Sequence, residues 1–361
     1  MMNPMVMLNT RQGFVWGYFQ ANFSVWKTTD GGQRWQRNPV TAPSLSPANQ
    51  IIPVVDFRSS HVGWVAWVIP GAPNNTLTVL RTRDGGRHWT KDTQSVPPVV
   101  FQAAQITFLT NRDGWIRTWS QPAAFYQDPS ILQTTTGGLT WTLVSSATVP
   151  NNHVTPDPLP DVTRPLPMVF TSRQHGWVAA GSMLATQATL YHTVTAGARW
   201  TPVPLPIPVG YQHHFGTQVS PPVFAGSEGS VLIQFIEGTT ALGNAVVIER
   251  TTDQGKTWSV GTPLLAPGQS WGDIVSSFVT PSQGWVIGAY GRLFAETTTG
   301  GQSWQAIPIP RPLPTLLASH YRIQQLDMST PKIGWLALQR SVGQNGGTIT
   351  KFFKTTDGDR T

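Results

Sequence analysis

Eleven side chains in the apparent connecting loops of this sequence have the chemistry of a recognition surface: Tyr126, Asp128, Arg164, His213, His214, Trp271, Asp273, Tyr290, Arg292, Tyr321 and Arg322. Arg presents a planar fork of N–H donors that matches a carboxylate, and Tyr and Trp offer flat faces with a polar handle. His153, Asp157, Asp161, Tyr211, Arg311 and His320 stand in the same stretches. The pair His213-His214 has metal-ligand chemistry, but adjacent residues on an extended segment point opposite ways and no second His or carboxylate stands at matching spacing. Neither a metal nor a cofactor is expected. Asp157 and Asp161 flank prolines in PDPLPD, which favours Asx turns over an acid/base pair. The glutamates are Glu228, Glu237, Glu249 and Glu296, and the last three fall on or beside apparent strands. Hydrolysis of a glycoside needs two carboxyl groups facing each other across a set gap, and spacing picks out no such pair. No catalytic residue is therefore assigned.

Composition limits what can position these groups. Of 361 residues only 11% are charged, with 34 Gly, 31 Pro, 16 Trp and no Cys. Helical bundles are rich in Glu and Lys, which occur here four and six times. A hydrophobic fraction of 39% with abundant Trp excludes an acidic, aromatic-poor disordered chain. No apolar run approaches the roughly 18 residues of a membrane span, and without cysteine there is no disulfide framework. The net charge is +7, yet the Lys and Arg are dispersed, with Arg81, Arg83 and Arg87 the tightest group, so no nucleic-acid partner is expected.

The elements themselves come from a repeat. The strings TTDGGQRW (28–35), TRDGGRHW (82–89), TTTGGLTW (134–141), TVTAGARW (193–200), TTDQGKTW (251–258) and TTTGGQSW (297–304) share one pattern, and TTDGDRT (355–361) begins a seventh copy. Their third positions are residues 30, 84, 136, 195, 253, 299 and 357, a period of 46 to 59 residues. Gly63-Trp64, Gly114-Trp115, Gly176-Trp177, Gly284-Trp285 and Gly334-Trp335 keep step 15 to 23 residues ahead, with Gly13-Phe14 and Gly229-Ser230 in the same slot. Short alternating apolar stretches flank both landmarks, giving about four strands per period. Such a period is one blade of a β-propeller.

The expected fold is therefore all-β: a seven-bladed propeller of about four antiparallel strands per blade, with the last blade incomplete. It forms one domain over 1–361, with blades near 5–40, 53–95, 104–146, 167–205, 222–262, 274–309 and 324–361. Within the repeated turns, Gly32, Gly86, Gly138, Gly197, Gly255 and Gly301 supply positive φ. Asp30, Asp84, Asp253 and Asp357 supply a short acceptor for loop N–H groups, a task that Thr136, Thr195 and Thr299 can do more weakly. Trp35, Trp89, Trp141, Trp200, Trp258 and Trp304 then plug gaps between blades.

These strings resemble the Asp-box, or BNR, repeat (Ser/Thr-x-Asp-x-Gly-x-Thr-Trp) of sialidases, Vps10-type sorting receptors, some xyloglucan-cleaving glycosidases and photosystem II stability/assembly factors. A Gly-Trp strand followed by TTDGGxxW is most similar to the assembly-factor group, and the resemblance runs over essentially all 361 residues. It implies that the boxes lie on the blade periphery and that ligands meet the axial loop face. It also implies an extracytoplasmic or secreted setting, although Met1–Thr10 has no basic start, apolar segment or cleavage site and a cytoplasmic address stays open. Sialidase activity would require an Arg triad, a Tyr-Glu pair and an early Arg-Ile-Pro; the nearest string, Tyr321-Arg322-Ile323, lies near the other end and lacks the proline.

The expected function is a non-catalytic binding scaffold for a protein or polysaccharide partner, docked through the axial loops. The alternatives are a glycoside hydrolase of sialidase or xyloglucanase type and a structural spacer in a longer surface protein.

Overall fold

The computed structural model describes residues 5–20, 22–43, 51–120, 128–146, 159, 167–180, 188–211, 216–236, 244–266, 274–288, 290–291, 293–342 and 347–358. Seven antiparallel sheets, each built from consecutive strands, form a ring: a seven-bladed β-propeller. Among the described residues, five blades have four strands, the fifth blade has six and the seventh has three. The extra strands of blade 5 arise where Pro221 and Pro263 interrupt its edges, so Val223–Ala225 and Leu264–Ala266 pair separately from their neighbours. Among the described residues, helix is confined to Leu313–Ala318, in the connection between blades 6 and 7. Composition gave no reason to expect a helix in that connection. Proline near its start and the Gly-free run TLLA make one turn of helix locally favourable.

Second strands show why the blades stack. Gly63–Ile69 (GWVAWVI) and Gly114–Trp119 (GWIRTW) are buried on almost every residue, because each is sandwiched between two neighbouring blades. The outer strand Thr90–Val96 (TKDTQSV) is polar and largely exposed. The core is accordingly divided, with seven buried clusters, one per blade interface. The cluster of Met5, Met7, Val15 and Trp335 joins blade 7 to blade 1.

One interlock recurs around the ring. Trp64 of blade 2 stacks on Phe108 of blade 3 with ring centroids 3.6 Å apart, and Trp141 of blade 3 meets the Phe108 edge at 5.9 Å. Trp115, Phe170 and Trp200 repeat this between blades 3 and 4, and Phe14, Phe57 and Trp89 between blades 1 and 2. The glycine of each Gly-Trp pair makes room for a Phe, or for Met328 at Gly334: a Cβ on Gly114 would lie 2.5 Å from the Phe108 ring. The indole N–H adds direction. Trp64 donates to the Gly137 carbonyl (2.9 Å), Trp115 to Ala196 (2.8 Å) and Trp335 to Gly31 (3.2 Å), each in the next blade's repeated turn.

Innermost strands are linked by side chains as well. Asp56 accepts from the Phe108 N–H (2.7 Å), Gln105 brackets Met168 at both N–H and carbonyl, and Ser277 accepts from Met328 (2.9 Å). Closure uses the same device: Gln325 brackets Met5 (3.2 and 2.7 Å) and Asp327 accepts from the Met7 N–H (2.9 Å). Side-chain packing and hydrogen bonds hold blades 7 and 1 together, with each sheet keeping its own strands.

Candidate functional site

Antiparallel order divides the loops between two faces. Turns joining strands 1–2 and 3–4 fall at one end of a blade, while the 2–3 loops and blade-to-blade connections fall at the other. At the first end, the repeated turn is bonded to the 1–2 turn of its own blade in all seven copies, as in Gly31 N–H to Arg11 O (2.7 Å) and Gly358 N–H to Lys332 O (2.8 Å). Its internal chemistry is uniform. Thr28 Oγ1 donates to Asp30 Oδ1 (2.9 Å) and accepts from the Gly32 N–H (2.9 Å), while Asp30 accepts from the Arg34 N–H (3.0 Å). Thr136 accepts from the Thr140 N–H (3.0 Å), Thr195 from Arg199 (2.9 Å) and Thr299 from Ser303 (2.9 Å), so the hydroxyl does the carboxylate's work.

Backbone geometry at these turns separates two glycines. The fifth position, Gly32 through Gly301, holds φ between 82° and 94° and is glycine in all six copies. The fourth position holds smaller positive φ and admits Ala196 (56°) and Gln254 (63°). Hydrogen bonds set the acidity of the Asp copies. The Arg34 N–H is the largest influence holding Asp30 below its ordinary value, and the Thr257 hydroxyl does the same for Asp253. Burial pushes Asp84 up, but its hydrogen bonds from His88 and Thr82 outweigh that and leave it lowered. These groups are occupied structurally, while Arg81, Arg83 and Arg112 line a separate cleft of about 570 Å³ between the repeated turns of blades 2 and 3.

The opposite end carries the candidate site. Tyr290 lies in the 2–3 loop of blade 6 and is 44% exposed. Arg322 begins the first strand of blade 7, Arg322–Met328, and its guanidinium carbon stands 4.5 Å from the Tyr290 ring centroid. Between them opens a cleft of about 440 Å³ lined by Tyr290, Gly291, Ile309, Pro314, Leu317, Ala318 and Arg322. The helix Leu313–Ala318 forms one wall, fixed to the interface core by buried Leu313. His320, at φ 66°, lets the chain reverse out of the helix, and the Tyr321 N–H bonds back to Leu316 O (3.2 Å).

Beside the cleft, Tyr321 is buried to 4% exposure, so its ring supports the site from beneath. Arg340 and Lys351 both stand over that ring, at 5.0 and 5.2 Å from its centroid. Gln339, the neighbour of Arg340, is the cross-strand partner of both Arg322 and Thr350. Arg322 uses one N–H on the Tyr321 carbonyl (2.9 Å). Arg340 Nε is buried without an acceptor, and no carboxylate among the described residues forms an ion pair with these three cations. The arrangement can bind an anion or stack a flat ligand. It holds no acid/base pair among the described residues.

Of the eleven candidate residues, the structure brings together Tyr290, Tyr321 and Arg322. Asp128 lies apart, at the start of blade 3's third strand, with its N–H on Ser120 Oγ (3.0 Å). Tyr126, Arg164, His213, His214, Trp271, Asp273 and Arg292 lie outside the described residues, as do His153, Asp157, Asp161 and Glu237. Tyr211 is buried at the interface of blades 4 and 5. Arg340, Lys351 and the helix wall were not singled out from sequence. Arg340 and Lys351 pair with Ile349 and Leu338, which puts them on the face of blade 7 opposite Arg322, the partner of Gln339.

Two buried ionisable groups lie elsewhere. Burial lowers Arg117 to about 9 and raises Glu249 to about 8. Arg117 packs on Trp119 at 4.7 Å, and Glu249 sits on the third strand of blade 5 with neither oxygen hydrogen-bonded. Glu296 is buried on the third strand of blade 6. Among the described residues no group of three His, Cys, Asp or Glu side chains is placed to hold a metal, and no helix is long and apolar enough to cross a membrane.

No family model and no curated protein matches the sequence. Solved structures do match in shape. An ulvan lyase of polysaccharide lyase family PL25 superimposes with a TM-score of 0.54 at 10% identity, covering 99% of this chain and 92% of that one. An α-L-arabinanase from Penicillium chrysogenum gives 0.50 at 13% identity, covering 85% and 94%. YCF48 from Cyanidioschyzon merolae gives 0.48 at 15%, covering 96% and 97%. The likenesses to the lyase and the arabinanase agree with the propeller fold. At such identities the enzymes' chemistry does not transfer to this chain.

Proposed function

We propose that this chain is an Asp-box-type propeller acting as a non-catalytic binding scaffold, which docks a protein or polysaccharide partner outside the cytoplasm on the loop face between blades 6 and 7. The observation that carries it is the Arg322 guanidinium laid over the exposed Tyr290 ring at the mouth of a cleft with a helical wall. Stacking faces and charge-assisted donors are the means by which rigid scaffolds hold saccharides and peptides. The Met328 N–H bond to Ser277 (2.9 Å) ties the innermost strands on either side of the cleft, which favours preorganised groups. Support for the Asp-box assignment is the Thr–Asp–Gly hydrogen-bond pattern repeated in the turns.

A glycan array and a pull-down with the full chain test this role. Retention of a ligand that Tyr290→Ala releases is expected, with no turnover of reporter glycosides. Hydrolysis of a reporter, or ligand retention indifferent to Tyr290→Ala, contradicts it.

A further inference from the structure

We propose that the outer edge of blade 7 docks an extended segment of a partner protein: an aromatic side chain enters the cleft beside Phe353, and the residues after it pair as a fourth strand with Gly347–Thr355. This site is separate from the loop-face cleft of Tyr290 and Arg322.

The other six blades show what covers such an edge. In each, the residues after the box tryptophan pair with the third strand, as Thr142–Ser146 pairs with Pro129–Thr134 and Thr90–Val96 with Asn75–Thr82. Those third strands are buried at nearly every residue. Among the described residues, Gly347–Thr355 pairs on one side only, and Thr348, Ile349, Lys351 and Lys354 are exposed. A strand edge with unpaired N–H and C=O groups is a template for a further strand.

Each box tryptophan also has a fixed seat. Trp141 shares a cluster with Ile116 and Leu132, Trp89 with Val65 and Leu80, and Trp304 with Val286 and Ala295. In blade 7 these places belong to Leu336 and Phe353, because Gly334 opposes Thr355 and Leu336 opposes Phe353 just as Gly114 opposes Thr134 and Ile116 opposes Leu132. Together with Leu326, Gly334 and Thr355 they line a cleft of about 250 Å³. Phe353 is half-buried there, whereas Leu132 is 1% exposed beneath its tryptophan. The seat and the edge are continuous, so one segment with an aromatic leader serves both. Lys351 and Lys354 disfavour a second copy of the same strand, since like charges opposed across two strands repel.

Calorimetry and hydrogen exchange of the full chain with a synthetic peptide of residues 139–146, LTWTLVSS, test this. The peptide should bind, and the amides of Thr348–Lys354 should exchange more slowly in the complex. A peptide carrying Trp141→Ala should bind about tenfold more weakly. N-methylation at both Leu143 and Val144 should do the same, because one of two successive N–H groups faces the neighbouring strand. Phe353→Ala in the protein should weaken binding in the same direction, and the peptide variants decide the matter if that protein unfolds. Equal binding of the N-methylated peptide would overturn strand addition. A dimer of the chain joined through Gly347–Thr355 that the peptide does not displace would overturn the partner segment. Absence of binding by LTWTLVSS, or binding without protection of Thr348–Lys354, would overturn the inference outright.

Discussion

Trp335 donates its indole N–H to the carbonyl of Gly31 at 3.2 Å, joining residues 304 positions apart. The same bond joins Trp64 to Gly137 and Trp115 to Ala196, so the interface that closes the ring is built like those within it. The Gln325 and Asp327 contacts fasten the innermost strands of blades 7 and 1, and the indole bond ties the second strand of blade 7 to the repeated turn of blade 1.

Equivalence of the interfaces has a direct consequence. Trp335→Phe and Trp64→Phe both keep an aromatic ring and lose the hydrogen bond, and each should cost about 1 to 3 kcal/mol, since a buried carbonyl loses its donor. Urea unfolding of the two variants checks this. A Trp335→Phe loss near zero beside a large Trp64→Phe loss would mean that the ring is not held closed at that interface.

The glycine before the tryptophan is a packing requirement. Gly114→Ala places a methyl group against the Phe108 ring and should destabilise by about 1 to 3 kcal/mol. Phe108→Leu added to Gly114→Ala should recover part of the loss, so a double-mutant cycle should return a coupling of about 0.5 kcal/mol or more. Strict additivity would show that the methyl group is accommodated elsewhere.

Trp141 lies in the cluster between blades 2 and 3, where its backbone N–H also bonds to Gln94 of blade 2 (2.9 Å). Trp141→Ala should cost about 3 to 5 kcal/mol, as for other buried aromatics. Trp258 is only half-buried and should cost less. Equilibrium unfolding of both variants compares them, and equal losses would remove burial as the explanation.

Stability should fall as pH rises from about 4 to 6. Burial raises Asp56 and Asp327 to about 6, against an ordinary value of 3.8, so the folded state binds the extra protons within that window. Their contribution is most favourable below the unfolded value and is lost as pH climbs through the folded one, at up to about 3 kcal/mol per carboxyl. Glu249, raised to about 8, extends the same trend upward. The lowered Asp30, Asp84 and Asp253 act oppositely: their stabilisation is present above the unfolded value and fades in stronger acid. Asp327→Asn keeps an acceptor for the Met7 N–H and removes the titration. Its unfolding free energy should vary less than the wild type's between pH 4 and 7, and an unchanged slope would contradict the shift at Asp327.

The ring was legible in the sequence because each repeat carries its own turn, and Thr-x-Asp or Thr-x-Thr before glycine satisfies backbone groups within that turn. The interlock was less legible because its partners lie in adjacent repeats: Phe108 answers to Trp64 of one blade and Trp141 of another. A signal for it does exist. A large apolar residue stands six positions ahead of the Gly-Trp glycine at Met7, Phe57, Phe108, Phe170, Phe278 and Met328. At the site, Tyr290 and Arg322 could be named because loop tyrosines and arginines are uncommon in so weakly charged a chain. Their meeting depends on a six-residue helix and a left-handed His320, which period and composition do not encode.

The most direct measurement takes whichever ligand the array retains and titrates it into wild type and into the Tyr290→Ala/Arg322→Ala double variant by calorimetry, with melting curves alongside. A binding scaffold centred on the blade 6–7 cleft predicts at least a tenfold loss of affinity with melting unchanged. Equal affinity in the two proteins, or a reaction heat that persists as the ligand is cleaved, would contradict it.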